Sequence, residues 1–398
     1  MRLKVLASLS GAGAWPALWT CPALLASAFL VTWGAEAAQS VLGRGLALAL
    51  LAWLQTLPEF GVEAVIAWRA GEDPARASLA IANLTGAIRL LVGLGWPLVY
   101  VVQATARWRR RLPALRALTL TGEDAVGVAA LVPPLAYFAV VLVKGSLTAT
   151  DAAVLVACYV GYLIFAARTP PKESAVPISA VARWTLATTG WRRHVRIGTV
   201  CLAGTALLAA TVRPFFTSML AVAAVLGIAP FLVVQWLAPV LTEVPELVSS
   251  VAWARREATG PMALMNLVAS NVNQWTVLAG TIPIVFGFAH WRAFGTWGSF
   301  ALDAAQRLEV LLALLQTAVG VALLASGAFG AGAAAGLFGL WVVEVAVPAL
   351  RPAVAYTYGG GLAVLAVRLV AQRAFKRGET RAADQQKAGS AERDPADH

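Results

Sequence analysis

Apolar runs of about 20 residues recur along almost all of this 398-residue chain, and short interruptions between them hold most of its charge. Coiled at roughly 1.5 Å per residue, a run of that length matches the hydrocarbon thickness of a bilayer. The runs are continuously apolar and do not alternate, so they read as helices and not as strands of a transmembrane barrel. Charged residues make up 13% of the chain, against about 25% in a soluble domain. The expected fold is all-α: a multi-pass integral protein of the plasma (cell inner) membrane, surrounded by the lipid bilayer.

Residues 1–21 read as a leader or interfacial segment, since Met1-Arg-Leu-Lys4 precedes a short apolar run without a clean cleavage site. Five spans follow at about 22–38, 43–68, 77–104, 123–144 and 151–168. The polar stretch 169–196, with Pro170, Pro171, Pro177 and Trp191-Arg-Arg-His-Val-Arg196, is read as a cytoplasmic linker. Five more spans fit at about 197–219, 221–253, 261–288, 305–327 and 331–350. An extra eleventh helix occupies 351–373, and 374–398 has the composition of a disordered cytoplasmic tail. Positive charge at Arg107–Arg111, the linker, Arg255-Arg256 and the tail falls on one side, the cytoplasmic one. Five is odd, so the second half inserts upside down relative to the first, giving inverted repeats at 22–168 and 197–350.

The formal charge of +11 sits in short loops and the tail. No soluble domain is available to present it, so a nucleic-acid partner is not expected. The three cysteines lack CxxC spacing, the three histidines form no ligand pattern, and HExxH, GxSxG and Walker-type motifs are missing. Neither an enzyme nor a bound cofactor is expected, and nothing in the sequence points to a protein partner.

Two stretches stand out at membrane depth: Gln55-Thr-Leu-Pro-Glu59 and Thr242-Glu-Val-Pro-Glu246. Each puts a costly carboxylate directly after a proline, which cannot donate a backbone hydrogen bond. Asn83 lies 24 residues after Glu59, and Asn271 lies 25 after Glu246. Ala82-Asn-Leu-Thr-Gly86 therefore pairs with Ser270-Asn-Val-Asn-Gln274 across a turn, which is far more specific than the proline–glutamate pairs alone. Costly polar groups at matching places in two halves point to an ion site between repeats.

With these residues the chain resembles the cation/calcium exchanger superfamily, which includes sodium/calcium and calcium/proton exchangers. Its two α-repeats carry G-T-S-x-P-E and then G-N-x-x-G-S-N-x-x-N/D on the next helix. The second repeat here reads L-T-E-V-P-E and M-N-L-V-A-S-N-V-N-Q, and the first reads L-Q-T-L-P-E and A-S-L-A-I-A-N-L-T-G. Gly34-Ala-Glu36 resembles the end of the family's first helix, and the resemblance covers most of 22–350. It implies that Glu59 and Glu246 face each other near the membrane centre and bind a transported cation. Ca2+ takes six to eight oxygens, roughly, and two carboxylates balance its charge. Thr56, Thr242, Glu243, Asn83, Ser270, Asn271 and Gln274 offer further ligand atoms, with Gln55 beside them. The proline before each glutamate also frees a carbonyl one turn back.

Several positions depart from the family pattern. Ala82 replaces a serine, Gly86 an asparagine or aspartate, Glu243 a serine, and Gln274 an Asn/Asp. Glu63 and Arg89 add charge. Arg89 is read as standing where a co-transported cation sits, paired with Glu63 or Glu243. Its neutralisation is then expected to change ion coupling without unfolding the protein. An internal salt bridge among Glu63, Glu243 and Arg89 is an equal alternative. For Asn83 and Asn271 the simpler role is helix–helix bonding. Carboxylates left without a cation also admit proton coupling. The expected function is secondary active antiport of Ca2+, or another cation, against Na+ or H+. The alternatives are a channel or uniporter on the same scaffold, or a scaffold that has lost its ligands and no longer transports.

Overall fold

A computed structural model describes residues 14–39, 56–118, 124–168 and 179–391. Among these, nine helices are long and apolar enough to cross a membrane, and Ala331–Ala346 is a shorter apolar one. In chain order, α1 is Ala17–Gln39 and α2 is Leu57–Glu72. Ala77–Leu90, a π-helical turn Leu91–Gly95, and Trp96–Arg109 run on as one rod, α3. Asp124–Ala130 and Val132–Lys144 together form α4, and Ala149–Arg168 is α5. The second half gives α6 (Trp191–Leu226) and α7 (Pro230–Ala254). Next comes α8, built of Gly260–Asn273, a π-helical turn Gln274–Leu278, and Ala279–Phe294. Then follow α9 (Ala304–Ala325), α10 (Ala331–Ala346) and α11 (Arg351–Ala391).

The halves are related as inverted five-helix repeats. The contact of α2 with α8 is mirrored by that of α3 with α7, and α1 packs along its equivalent, α6. Small residues allow that last approach: a Cβ on Gly34 would meet Cys201, and one on Gly204 would meet Val31. The middle of the bundle belongs to α3, which is buried without a break from Leu79 to Gly93. A helix apolar and buried on all sides is a central rod. Two short strands, β1 (Ser146–Leu147) and β2 (Phe300–Ala301), pair antiparallel and tie the α4–α5 turn to the α8–α9 turn.

The prolines act differently in the two repeats. Pro58 falls in the first turn of α2, where a missing N–H costs nothing. Pro239 and Pro245 lie inside α7, so the carbonyls of Gln235 and Leu241 lose their usual donors four residues on.

Several boundaries differ from the sequence reading. The first span starts at Ala17, inside the expected leader or interfacial segment, and residues 1–13 lie outside the described part. The front half of the second span, with Gln55, is also outside it. The linker is partly helical. Ser179 caps a two-turn helix, Ala180–Leu186, and its N–H and Oγ donate to Glu36 at the end of α1. α6 already begins at Trp191, while 169–178 are not described. The C-terminal stretch expected to be disordered continues α11 as far as Ala391, because Ala, Arg, Lys, Gln and Glu are all good helix formers. Residues 392–398 are outside the described part.

Candidate cation site between the repeats

The first turn of α2 carries Glu59, and Glu63 lies one turn on. α7 carries Glu243 and Glu246, three residues apart. All four carboxyls are buried. Residues on α8 hold them. Gln274 Nε2 lies between two of them, donating to Glu243 Oε1 and, at 3.4 and 3.5 Å, to the two oxygens of Glu59. Ser270 Oγ donates to Glu246 Oε2, and Asn273 Nδ2 donates to Thr56 Oγ1. From α3, Asn83 Nδ2 donates to Glu63 Oε2 at 2.7 Å.

Helical spacing explains the arrangement. Ser270, Asn273 and Gln274 stand at i, i+3 and i+4, on one face of α8. Asn271 is a quarter-turn away, and its amide donates weakly to Leu267 O at 3.4 Å. The π-helical turn begins at Gln274 itself, and such turns are frequent at functional sites. Asn273 was missed as a site residue in the sequence, although its spacing from Ser270 and Gln274 was the signal that could have found it.

Other expected members are placed elsewhere. Asn83 serves Glu63, not Glu59. Thr242 Oγ1 turns back to Ala238 O and Pro239 O, both at 3.2 Å. Thr85 Oγ1 likewise returns to Ile81 O at 2.6 Å. Gly86 is not a gap in the site. A Cβ there would sit 1.9 Å from the carbonyl oxygen of Gln235, so α3 meets α7 backbone where the family pattern has a side chain.

Arg89 pairs with neither Glu63 nor Glu243. It is fully buried, with Nε donating to Glu344 Oε1 at 3.0 Å on α10 and Nη1 paired with Glu309 on α9. Arg351, at the start of α11, reaches Glu309 Oε1 at 2.5 Å and Gln235 Oε1 at 2.9 Å. Gln235 Nε2 donates in turn to Glu309 Oε2 at 2.7 Å. The reason for the difference is reach: Arg89 leaves α3 on the side of α9 and α10, away from α2.

Within the carboxyl cluster, four buried side-chain atoms lack a hydrogen-bond partner: Glu63 Oε1, Glu243 Oε2, Asn273 Oδ1 and Gln274 Oε1, and so does Asn271 Oδ1 beside them on α8. All are acceptors. Among the described residues, no three acidic, histidine or cysteine side chains converge at metal-ligand spacing.

The fold and this polar interior define a multi-pass integral membrane transporter built of two inverted repeats. The family model for sodium/calcium exchanger protein matches residues 14–168 and 198–349, and the chain belongs to that family, one of exchangers and not of enzymes. A crystal structure of the H+/Ca2+ exchanger CAX is 28% identical, with a TM-score of 0.82 over 97% of this chain and 98% of that one. Native YfkE is 16% identical, with a TM-score of 0.57 over 86% of this chain and 95% of that one. The sodium-calcium exchanger NCX_Mj is also 16% identical, with a TM-score of 0.51 over 84% and 98%. These last two show the shared fold alone. No curated protein matches the chain.

Proposed function

We propose that this protein is a secondary active antiporter that exchanges Ca2+ against H+, with Na+ as the alternative counter-ion, across the plasma (cell inner) membrane. The observation that carries this reading is the surplus of acceptors around four buried carboxyls: Glu63 Oε1, Glu243 Oε2, Asn273 Oδ1 and Gln274 Oε1 are buried without a donor. A hard divalent cation bound by oxygens satisfies such a set. Glu59, Glu243 and Glu246, which do not converge at ligand spacing in this conformation, supply charge once the cation draws them together, and Asn273, Gln274, Ser270 and Thr56 supply neutral oxygens, with Glu63 and Asn83 at the margin. Charged carboxylates in so dry a place need a positive partner. When Ca2+ leaves, protons or sodium ions take that role, which couples the two fluxes. The higher identity and overlap with the H+/Ca2+ exchanger favour the proton. Alternating access then follows if α1 and α6, which pack mainly on each other, slide as a pair past α2 and α7.

The test is Ca2+ uptake into proteoliposomes under imposed H+ or Na+ gradients. Uptake is expected to need a counter-gradient, and Glu59→Gln or Glu246→Gln is expected to abolish it. Uptake without any counter-ion would establish a channel, and no flux of any cation would establish a scaffold without transport.

A further inference from the structure

The charge cluster around Arg89 has no part in that reading. Arg89, Glu309, Glu344 and Arg351 are all buried, and they come from α3, α9, α10 and α11. Two cations and two anions leave it neutral. Buried ion pairs rarely add net stability, because desolvation offsets their attraction. This one is also incompletely bonded, since Arg89 Nη2 and Glu344 Oε2 have no partner. Stability is therefore a poor account of it, and position is a better one.

Gln235 on α7 is the link. Its side chain bonds to both Glu309 and Arg351, and its neighbour Trp236 covers the Arg89 guanidinium at 5.1 Å. Its backbone carbonyl, released by Pro239, lies against Gly86 of α3. Gly86 in turn lies three residues from Arg89 on one side and three from Asn83 on the other. Along α7, Gln235, Thr242 and Glu246 stand at i, i+7 and i+11, on one face and within roughly 16 Å of each other. The crossing of α3 and α7 is thus held at one end by the ion-pair cluster and carries the carboxyl cluster at the other.

We propose that the Arg89–Glu309–Arg351–Glu344 cluster is a clamp that fixes this crossing through Gln235, and so sets the spacing of Glu243 and Glu246 from Glu59. Gln235, Arg351 and Glu309 are positioning residues for cation binding. The proposal rests on the antiport reading for its transport readout only.

Gln235→Leu in the full chain keeps all four charges and every carboxyl of the cation site. It is expected to raise the apparent KM for Ca2+ uptake about tenfold with a maximal rate close to that of the parent, and to lower the melting temperature, since buried Glu309 and Arg351 each lose a hydrogen bond. Spin labels on Arg76→Cys and Ile228→Cys, near the starts of α3 and α7, are read in a background with Cys21, Cys158 and Cys201 changed to alanine. Their distance distribution is expected to shift or broaden in Gln235→Leu. Arg351→Lys keeps the charge but loses the fork that reaches two partners, and it is expected to move both readouts the same way should Gln235→Leu fail to fold. Parental KM and parental label distance in a folded variant overturn the clamp, as does a lowered melting temperature with both unchanged. If the parent protein carries no cation at all, the antiport reading fails, and the label distance alone decides the clamp: a shift supports it and an unchanged distribution overturns it.

Discussion

Gln274 of the second repeat hydrogen-bonds to Glu59 of the first, with its Nε2 at 3.4 Å from Oε1. The same nitrogen bonds to Glu243, so one amide joins carboxyls that belong to opposite halves of the chain. Replacing it by an apolar residue of similar size leaves the two buried carboxyls without their shared amide donor. The change also removes Gln274 Oε1, a buried oxygen without a donor that is free to face a cation. Gln274→Leu is expected to lower Ca2+ affinity about tenfold through that lost ligand, read from the concentration dependence of uptake in proteoliposomes. An unchanged affinity would remove Gln274 from the site.

Glu243, like Glu63, is a carboxyl that the family pattern does not provide. Divalent affinity follows the number of charged ligands, so Glu243→Ser is expected to keep exchange running while weakening Ca2+ about tenfold. Isothermal titration of the purified protein with Ca2+ checks this directly. Equal affinity in the variant would mean that Glu243 does not contact the ion.

Gly86→Asn restores the residue type of the family pattern but drives its Cβ into the Gln235 carbonyl. Overpacking of this kind costs about 1–3 kcal/mol. The expected outcome is a lower melting temperature with no gain in cation affinity. A stable variant that binds Ca2+ more tightly would show that Gly86 is a missing ligand after all.

Arg89→Gln leaves Glu309 and Glu344 with one guanidinium between them. Breaking a buried pair from one side costs about 3–5 kcal/mol, so this variant is expected to lose much of its thermal stability. Adding Glu344→Gln restores charge balance and is expected to recover a large part of the loss. Melting curves of the two variants decide it, and a single variant as stable as the parent would contradict the network. This expectation reverses the one drawn from sequence, in which Arg89 was free to change coupling without a structural penalty.

The reason for that reversal shows what the chain makes legible. The apolar runs and the five helices before the linker are local patterns with a counterpart in the fold, while the repeated Pro–Glu and Asn spacings are local patterns whose residues take different places in the two repeats. Contacts that depend on three-dimensional neighbours are a different matter. Glu309 and Glu344 are 220 and 255 residues from Arg89, on helices with no repeated motif to flag them. Gly86 reads as a lost ligand in one dimension, because the carbonyl that occupies its place belongs to Gln235 on another helix. Asn273 is the intermediate case: its helical spacing was visible, but its partner Thr56 lies across the interface between repeats.

The length of α6 has a consequence outside the bilayer. Its 36 residues extend over roughly 54 Å, nearly twice the hydrocarbon thickness of about 30 Å. The surplus includes Trp191, beside the short helix that Ser179 fastens to the end of α1. Trp184 on that helix stacks on Arg196 of α6 at 4.4 Å. Under the proposed sliding, a displacement of α1 and α6 would carry this short helix and Trp191 along with it, beyond the hydrocarbon.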